Sequence, residues 1–324
     1  MTEQLFISLG PDRAELYRWA LGEEGNRLVQ ATREREGAGG PVGGIHLGRV
    51  LHLDRALNAA MVEIGLERPG LLPLKKHDTL SEGDAVAVQV KRDSREEKGV
   101  RLARAAQIDL KTVKDRAVPS LLVPPPTLWQ TALKALAPER IEVIHCDRRA
   151  DFERVQAWCR KEAPDLAAKA QHRPRRDWQD EDAGAREEIA AALQESVTLP
   201  GGGHLLFEPV RTLTAIDVNS GAASSRRGSG GGAGAMSETA LAVNLEAAQE
   251  IPIQLALRNI GGVIVIDFID IENRNKRDRV VEALREAVIV DPAIDWVGNM
   301  SRLGLVELRR RRGGPTLGEM FGAE

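Results

Sequence analysis

Aromatic side chains are scarce in this sequence: they make up 3% of its 324 residues, and there is one tyrosine. That scarcity argues against recognition built on extensive stacking. Cysteine is scarcer still. Cys146 and Cys159 form no CxxC pair and would make one disulfide at most, so neither a zinc site nor a disulfide scaffold is indicated, and both read as ordinary reduced thiols. No apolar run approaches the roughly 20 residues that a membrane-spanning helix needs, and the opening MTEQLFISLG lacks the basic and apolar regions of a secretion signal. The expectation is a cytoplasmic protein with no membrane partner. Strong charge of one sign is also missing. A net charge of −3 argues against blanket attraction to polyanions, while leaving room for a local basic groove that binds nucleic acid.

The chain has length for about two domains, and its 42% hydrophobic content can fill real cores. Residues 1–44 alternate apolar and polar positions in QLFISLG and ELYRWALGEEGNRLVQATRE, with the Gly-Glu-Glu-Gly-Asn cluster as a hairpin turn. The glycine-rich GAGGPVGG then introduces residues 45–105, where HLGRVLHL, LNAAMVEIG, GLLPL and DAVAVQVKR read as closely spaced short strands. A small barrel of the OB fold is the economical choice there. Pro119 and Pro124-Pro125-Pro126 stiffen residues 106–127 into a connector. Next comes a helix in TLWQTALKAL, a strand in RIEVIHCD, and helices in DFERVQAWCRKEA, with Asp151 as N-cap, and in GAREEIAAALQES. This alternation is that of a layered α/β unit.

Residues 191–324 open with the strands VTLPGGGHLLFEP and RTLTAIDVNSG, followed by the low-complexity tract GAASSRRGSGGGAGAMS. The periodicity predicts a helix over 238–259 that Pro252 kinks or restarts, then the strand IVIDFIDI and a helix in NKRDRVVEALREAV.

Two acids stand at the ends of apolar runs, Asp217 in TLTAIDVNSG and Asp267 in GGVIVIDFIDI. A bare carboxylate is costly to bury without a partner. Neighbouring strands lie about 4.8 Å apart, so the two acids could grip one cation. Oxygen donors without His or Cys favour magnesium, or manganese, over zinc. Asn219, two residues beyond Asp217, projects to the same side of an extended strand and could orient a water. A plainer reading stands beside this one: Asp217 caps the turn before Asn219-Ser220-Gly221, and Asp267 belongs to a structural hydrogen-bond network. Asp270 is left outside the set as a helix cap or ion-pair residue.

Taken in order, AIDVNSG, ETALAVNLEAAQEI, LRNIGGVIVIDFIDI and SRLGLVEL resemble the catalytic core of the ribonuclease E/G family of bacterial endoribonucleases. GRVLHLDRALNAAMVEIGLERPGLLPLK is similar to that family's OB-type RNA-binding domain. The resemblance implies an α/β and α+β multidomain fold. In it an RNase H-like subdomain (1–44 and 106–190) is interrupted by the OB-fold barrel (45–105) and followed by a DNase I-like catalytic subdomain (191–324). It implies that Asp217 and Asp267 bind Mg²⁺ and that Asn219 positions water. The implied reaction cleaves single-stranded RNA to 5′-phosphate and 3′-hydroxyl ends, in rRNA processing or mRNA turnover. Lys91, Lys98 and Arg302 fall at its RNA-contacting positions, with Arg302 preferred to the run Arg309–Arg312. An RNA-binding protein of the same fold with little cleavage is the alternative.

The sequence departs from that family in three places. RLARAAQIDLKTVKDRAVPSLLVPPP carries no Arg-Thr motif of a 5′-monophosphate pocket, so 5′-end sensing is expected to be absent. LVELRRRRGGPTLGEMFGAE has no CxxC, so no zinc and no zinc-linked dimer are expected. Met61 and Leu71 stand where some relatives present rings to bases, and losing a stacked ring forfeits about 1–3 kcal/mol per base.

Overall fold

The computed structural model describes residues 2–10, 13–23, 25–35, 40–54, 56–75, 78–92, 99–221, 233–311 and 313–322. Lys98, Arg226, Arg227 and Arg312 lie outside them. The chain divides into two compact units, Arg35–Thr131 on one hand and Met1–Glu34 with Ala132–Glu324 on the other.

The chain opens with β1 (Thr2–Leu9), β2 (Arg13–Leu21) and β3 (Arg27–Arg35). The unit Arg35–Thr131 then holds β4 (Ile45–Asp54), β5 (Ala59–Glu63), β6 (Gly70–Pro73), β7 (Ala85–Arg92), β8 (Arg101–Arg104) and β9 (Ser120–Val123). β4 pairs with both β5 and β7, β5 with β6, and β7 with β8, while β6 meets β8 in parallel at Leu71 and Arg101. The pairings close a five-stranded OB-like barrel filled by aliphatic side chains such as Val62, Leu72, Val88 and Leu102. Gly70 serves the closure, because a Cβ there would come 2.6 Å from Leu102. The closing strand β8 is four residues of which two are arginine, too short to show a period. β9 lies inside the proline-bounded connector, whose extended backbone pairs with β4.

The division falls within α1 (Leu128–Ala135), after which the larger unit holds β10 (Ile141–Cys146), α2 (Arg149–Glu162), α3 (Pro164–Ala167), β11 (Ala170–His172) and α4 (Gln179–Ala192). Its first sheet has the order β11-β10-β1-β2-β3, joining the first strands of the chain to residues more than a hundred positions later. Asp151 does not cap α2 as expected; Arg148 is the N-cap residue. The Asp151 carboxylate is buried instead, accepting from the Leu9 amide at 3.0 Å and from Arg148 at 2.9 Å. An unsatisfied strand-end amide is costlier than a missing cap. Cys146 and Cys159 are both buried free thiols, and burial pushes them up to about 12 and about 11.

The second sheet is built from β12 (Ser196–Thr198), β13 (His204–Pro209), β14 (Leu213–Asn219), β15 (Gly262–Asp267), β16 (Ile294–Val297) and β17 (Leu305–Arg310). Its order is β12-β13-β14-β15-β17-β16, with β14 and β15 parallel and the other pairs antiparallel. The long helix α5 (Ala233–Leu257) supplies the crossover between the parallel strands and packs with α6 (Arg274–Ala287); α7 (Leu317–Phe321) follows the last strand. Pro252 neither stops nor restarts α5. Ile251 and Leu255 are fully buried on either side of it, and this packing outweighs the one helical hydrogen bond that proline removes. Ile216, Val218, Ile264, Ile266, Val306 and Leu308 join the helices in one core. No helix among the described residues is long and apolar enough to cross a membrane.

Candidate active site

Strand alternation decides where the acids go. Along β14, Thr214, Ile216 and Val218 are buried toward the helices, which leaves Asp217 and Asn219 half-buried on the opposite face. Along β15, Ile264 and Ile266 are buried and Asp267 is exposed. Asp217 and Asp267 are direct partners in the parallel ladder, so both carboxylates leave the same face at the carboxyl ends of adjacent parallel strands. Crevices at such strand ends are the habitual ligand sites of α/β sheets. The Asn219 amide donates to an Asp217 carboxylate oxygen, and His204 on β13 pairs with Asn219.

Three supports hold this corner, and none was singled out from sequence. Asn244 on α5 is fully buried and clamps the segment after Asp267: its amide donates to the Ile269 carbonyl at 2.8 Å and accepts from the Ile269 N–H at 3.0 Å. Its signal was a polar residue three after Leu241 and four before Ala248, on the buried face of the helix. Glu246 accepts from the Gly201 amide at 2.8 Å and ties down the turn before β13. Gly304, at φ 83°, accepts from the Phe268 amide; a Cβ there would stand 3.0 Å from the Phe268 carbonyl oxygen and 4.0 Å from Asp267 Oδ1.

Electrostatics separates the pair from several deeply buried carboxylates. Glu3 meets Arg140 at 2.7 Å, Glu15 meets Arg33 at 3.1 Å, Glu250 meets Arg27 at 2.6 Å and Asp291 meets Arg310 at 2.6 Å. Among the described residues, Asp217 and Asp267 have no such cation, and no third His, Cys, Asp or Glu joins them in a cluster of metal-ligand spacing. Two like charges side by side without a counter-charge suit a hard divalent cation that completes its shell with water and phosphate oxygen.

The model of the Ribonuclease E/G family matches residues 86–313. The chain belongs to the ribonuclease E/G family. It is 29% identical to ribonuclease E of Haemophilus influenzae over 385 aligned positions, covering 91% of this chain and 40% of that protein. It is 30% identical to ribonuclease E of Escherichia coli K12, covering 91% of this chain and 36% of that one. Against ribonuclease G of Escherichia coli K12 it is 34% identical over 185 positions, covering 57% of this chain and 36% of that one. The chain therefore spans two fifths or less of the length of each of these relatives. The 385 positions exceed its own 324 residues, so the ribonuclease E of Haemophilus influenzae carries insertions where this member of the family runs straight on.

The remaining candidates of this ribonuclease E/G member fall in different places. Arg302 is exposed in the turn between β16 and β17, two residues from Gly304. Lys91 is exposed on β7 of the barrel, its ammonium 2.6 Å from Gln89 Oε1. Met61 and Leu71 face each other across β5 and β6, both half-buried. The arginine run is largely structural. Arg310 is buried against Asp291, and it also donates to Asn259 Oδ1 at 3.0 Å. Arg309 pairs with Asp295 at 2.7 Å, and Arg311 donates to the Pro292 carbonyl at 2.6 Å.

Proposed function

We propose that this protein is a metal-dependent endoribonuclease that hydrolyses single-stranded RNA, with Asp217 and Asp267 as the metal ligands and Asn219 beside them. The observation that carries the reading is the pair itself: two carboxylates opposite each other on one face at parallel strand ends, with no ion-pair partner among the described residues. Family membership supports the chemistry, since the relatives are ribonucleases E and G.

The donor set fits Mg²⁺ and accepts Mn²⁺, both of which take carboxylate oxygen with water and substrate phosphate. When bound, the ion polarises the scissile phosphate and lowers the pKa of a ligated water. The protein supplies the geometry. Asp217 and Asp267 hold fixed positions because one residue of strand slippage would turn either into the core. Asn219 holds the Asp217 carboxylate through its amide, and its carbonyl oxygen accepts from an attacking water. Arg302, exposed two residues before Gly304, takes a phosphate oxygen of the substrate. The products carry 5′-phosphate and 3′-hydroxyl ends. Lys91, on β7 of the barrel, adds a phosphate contact, and so does Lys98, which lies outside the described residues. 5′-End sensing is absent, because RLARAAQIDLKTVKDRAVPSLLVPPP carries no Arg-Thr motif of a monophosphate pocket. The setting is rRNA processing or mRNA turnover in the cytoplasm.

Cleavage of a fluorescent single-stranded RNA tests the reading, with Mg²⁺, with EDTA, and with Asp217→Asn and Asp267→Asn. Cutting that needs Mg²⁺ and disappears in both variants while RNA binding persists is the expected result. RNA binding without metal-dependent cutting by the unaltered protein would establish the alternative, a binding protein of this fold.

A further inference from the structure

A groove of about 400 Å³ opens beside Asp267, within the size range of small-ligand sites. Leu305, the ladder partner of Asp267, lines it together with Glu307, the partner of Val265. Trp296 and Leu303 supply its apolar surface, and they are 48% and 80% exposed. Of the five tryptophans, Trp19, Trp129 and Trp178 are buried and Trp158 is half-buried, so Trp296 is the one most open to solvent. A Cβ on Gly298 would stand 3.0 Å from Cη2 of its indole, so the missing side chain lets the ring lie against the strand end.

We propose that this groove seats one base of a single-stranded RNA, stacked on Trp296, one or two nucleotides from the phosphate held at Asp217 and Asp267. The inference rests on the reading of that pair as a nuclease centre. Trp296 is two strand spacings from β15, about 10 Å, which is the reach of one or two nucleotides. Charge selects the occupant. Glu307 in the groove repels phosphate, whereas its carboxylate accepts hydrogen bonds from the N–H donors of a base edge. Asn299 complements it: Arg285 donates to Asn299 Oδ1 at 2.7 Å, so the Asn299 NH₂ group is left to donate to a base carbonyl or ring nitrogen. An indole face, an acceptor and a donor together match a flat heterocycle with a polar edge, and Arg302 in the adjoining turn meets the phosphate outside.

The test pairs protein variants with abasic substrates, using the full chain, Mg²⁺ and a decamer of single-stranded RNA. Trp296→Ala raises KM about tenfold with a smaller change in kcat, and Trp296→Phe restores KM. Leu303→Ala raises KM in the same direction, which keeps the proposal open to refutation should Trp296→Ala fail to fold. An abasic residue one or two positions from the cut costs the unaltered protein a similar factor and costs Trp296→Ala nothing further. In the Asp217→Asn variant, which traps uncut RNA, the decamer quenches tryptophan emission, and the added change Trp296→Phe removes the quenching. Unchanged KM in both Trp296→Ala and Leu303→Ala, with metal-dependent cutting intact, overturns the base site and leaves the nuclease standing. Trp296-dependent quenching and binding in a protein that does not cut overturns the nuclease and leaves the base site.

Discussion

Replacing Asn244 puts a stability value on the segment that carries Asp267. Asn244→Ala removes the hydrogen bonds of 2.8 and 3.0 Å that hold the Ile269 carbonyl and amide. Each backbone group left without a partner costs about 1–3 kcal/mol. Ile269 is half-buried, so water reaches part of the loss, and the lower end of the range applies, about 2–3 kcal/mol for the two groups. For a unit of this size that corresponds to a fall in melting temperature of roughly 5–10 °C. Asn244→Asp keeps the acceptor for the Ile269 amide, but it sets a buried carboxylate against a carbonyl and is no milder at pH 7. Urea denaturation of the three proteins measures the stability, and RNA cleavage at 20 °C, well below the transitions, measures the site. Cleavage falls at least tenfold, because Asp267 lies two residues before the released Ile269. An Asn244→Ala protein within about 0.5 kcal/mol of the parent and cutting at full rate would refute the clamp.

Four other outcomes are expected. Arg310→Ala loses about 3–5 kcal/mol in urea titrations by orphaning buried Asp291, with no change in the salt dependence of RNA binding. Arg302→Ala reverses that pattern, keeping stability and lowering the salt slope by about 1. Gly304→Ala strains a left-handed position and crowds the Phe268 carbonyl, costing about 1–2 kcal/mol and slowing cleavage, both measurable on one preparation. Alkaline pH destabilises the fold: Tyr17 moves from 10.0 to about 12, Cys146 from 9.0 to about 12 and Cys159 from 9.0 to about 11, in each case chiefly through burial. The unfolded chain then releases these protons first. The stability they provide is intact below pH 9 and drains as pH rises toward 11–12, so the urea midpoint drops over that window and drops less in Cys146→Ala.

What could be read in the sequence was whatever local pattern dictates. Apolar alternation around Ile216 and Ile266 marked two strands, and the shared position of Asp217 and Asp267 at their ends followed from it. Four barrel strands were visible for the same reason. The rest depends on partners distant in the chain. β8 becomes a strand because Leu71 and the β7 edge are there to receive it, and four residues carry no period of their own. Asp151 looked like a cap until the Leu9 amide, 142 positions away, claimed its carboxylate. The run at Arg309 reads equally as a solvated strand end or a phosphate-binding patch, because charge is visible in a sequence while burial is not; Asp291 and Asp295 engage Arg310 and Arg309 of it. Asn244 and the Trp296 groove arise only when α5 and β16 are laid against the rest of the sheet.

The in-register pairing of Asp217 with Asp267 also acts as an assembly check. A strand docked one position out would drive an acid into the oily layer beneath α5 and present an isoleucine to the crevice, an arrangement too costly to persist. Half-assembled molecules with a misplaced centre are therefore rare: packing the interior and aligning the two acids are one event.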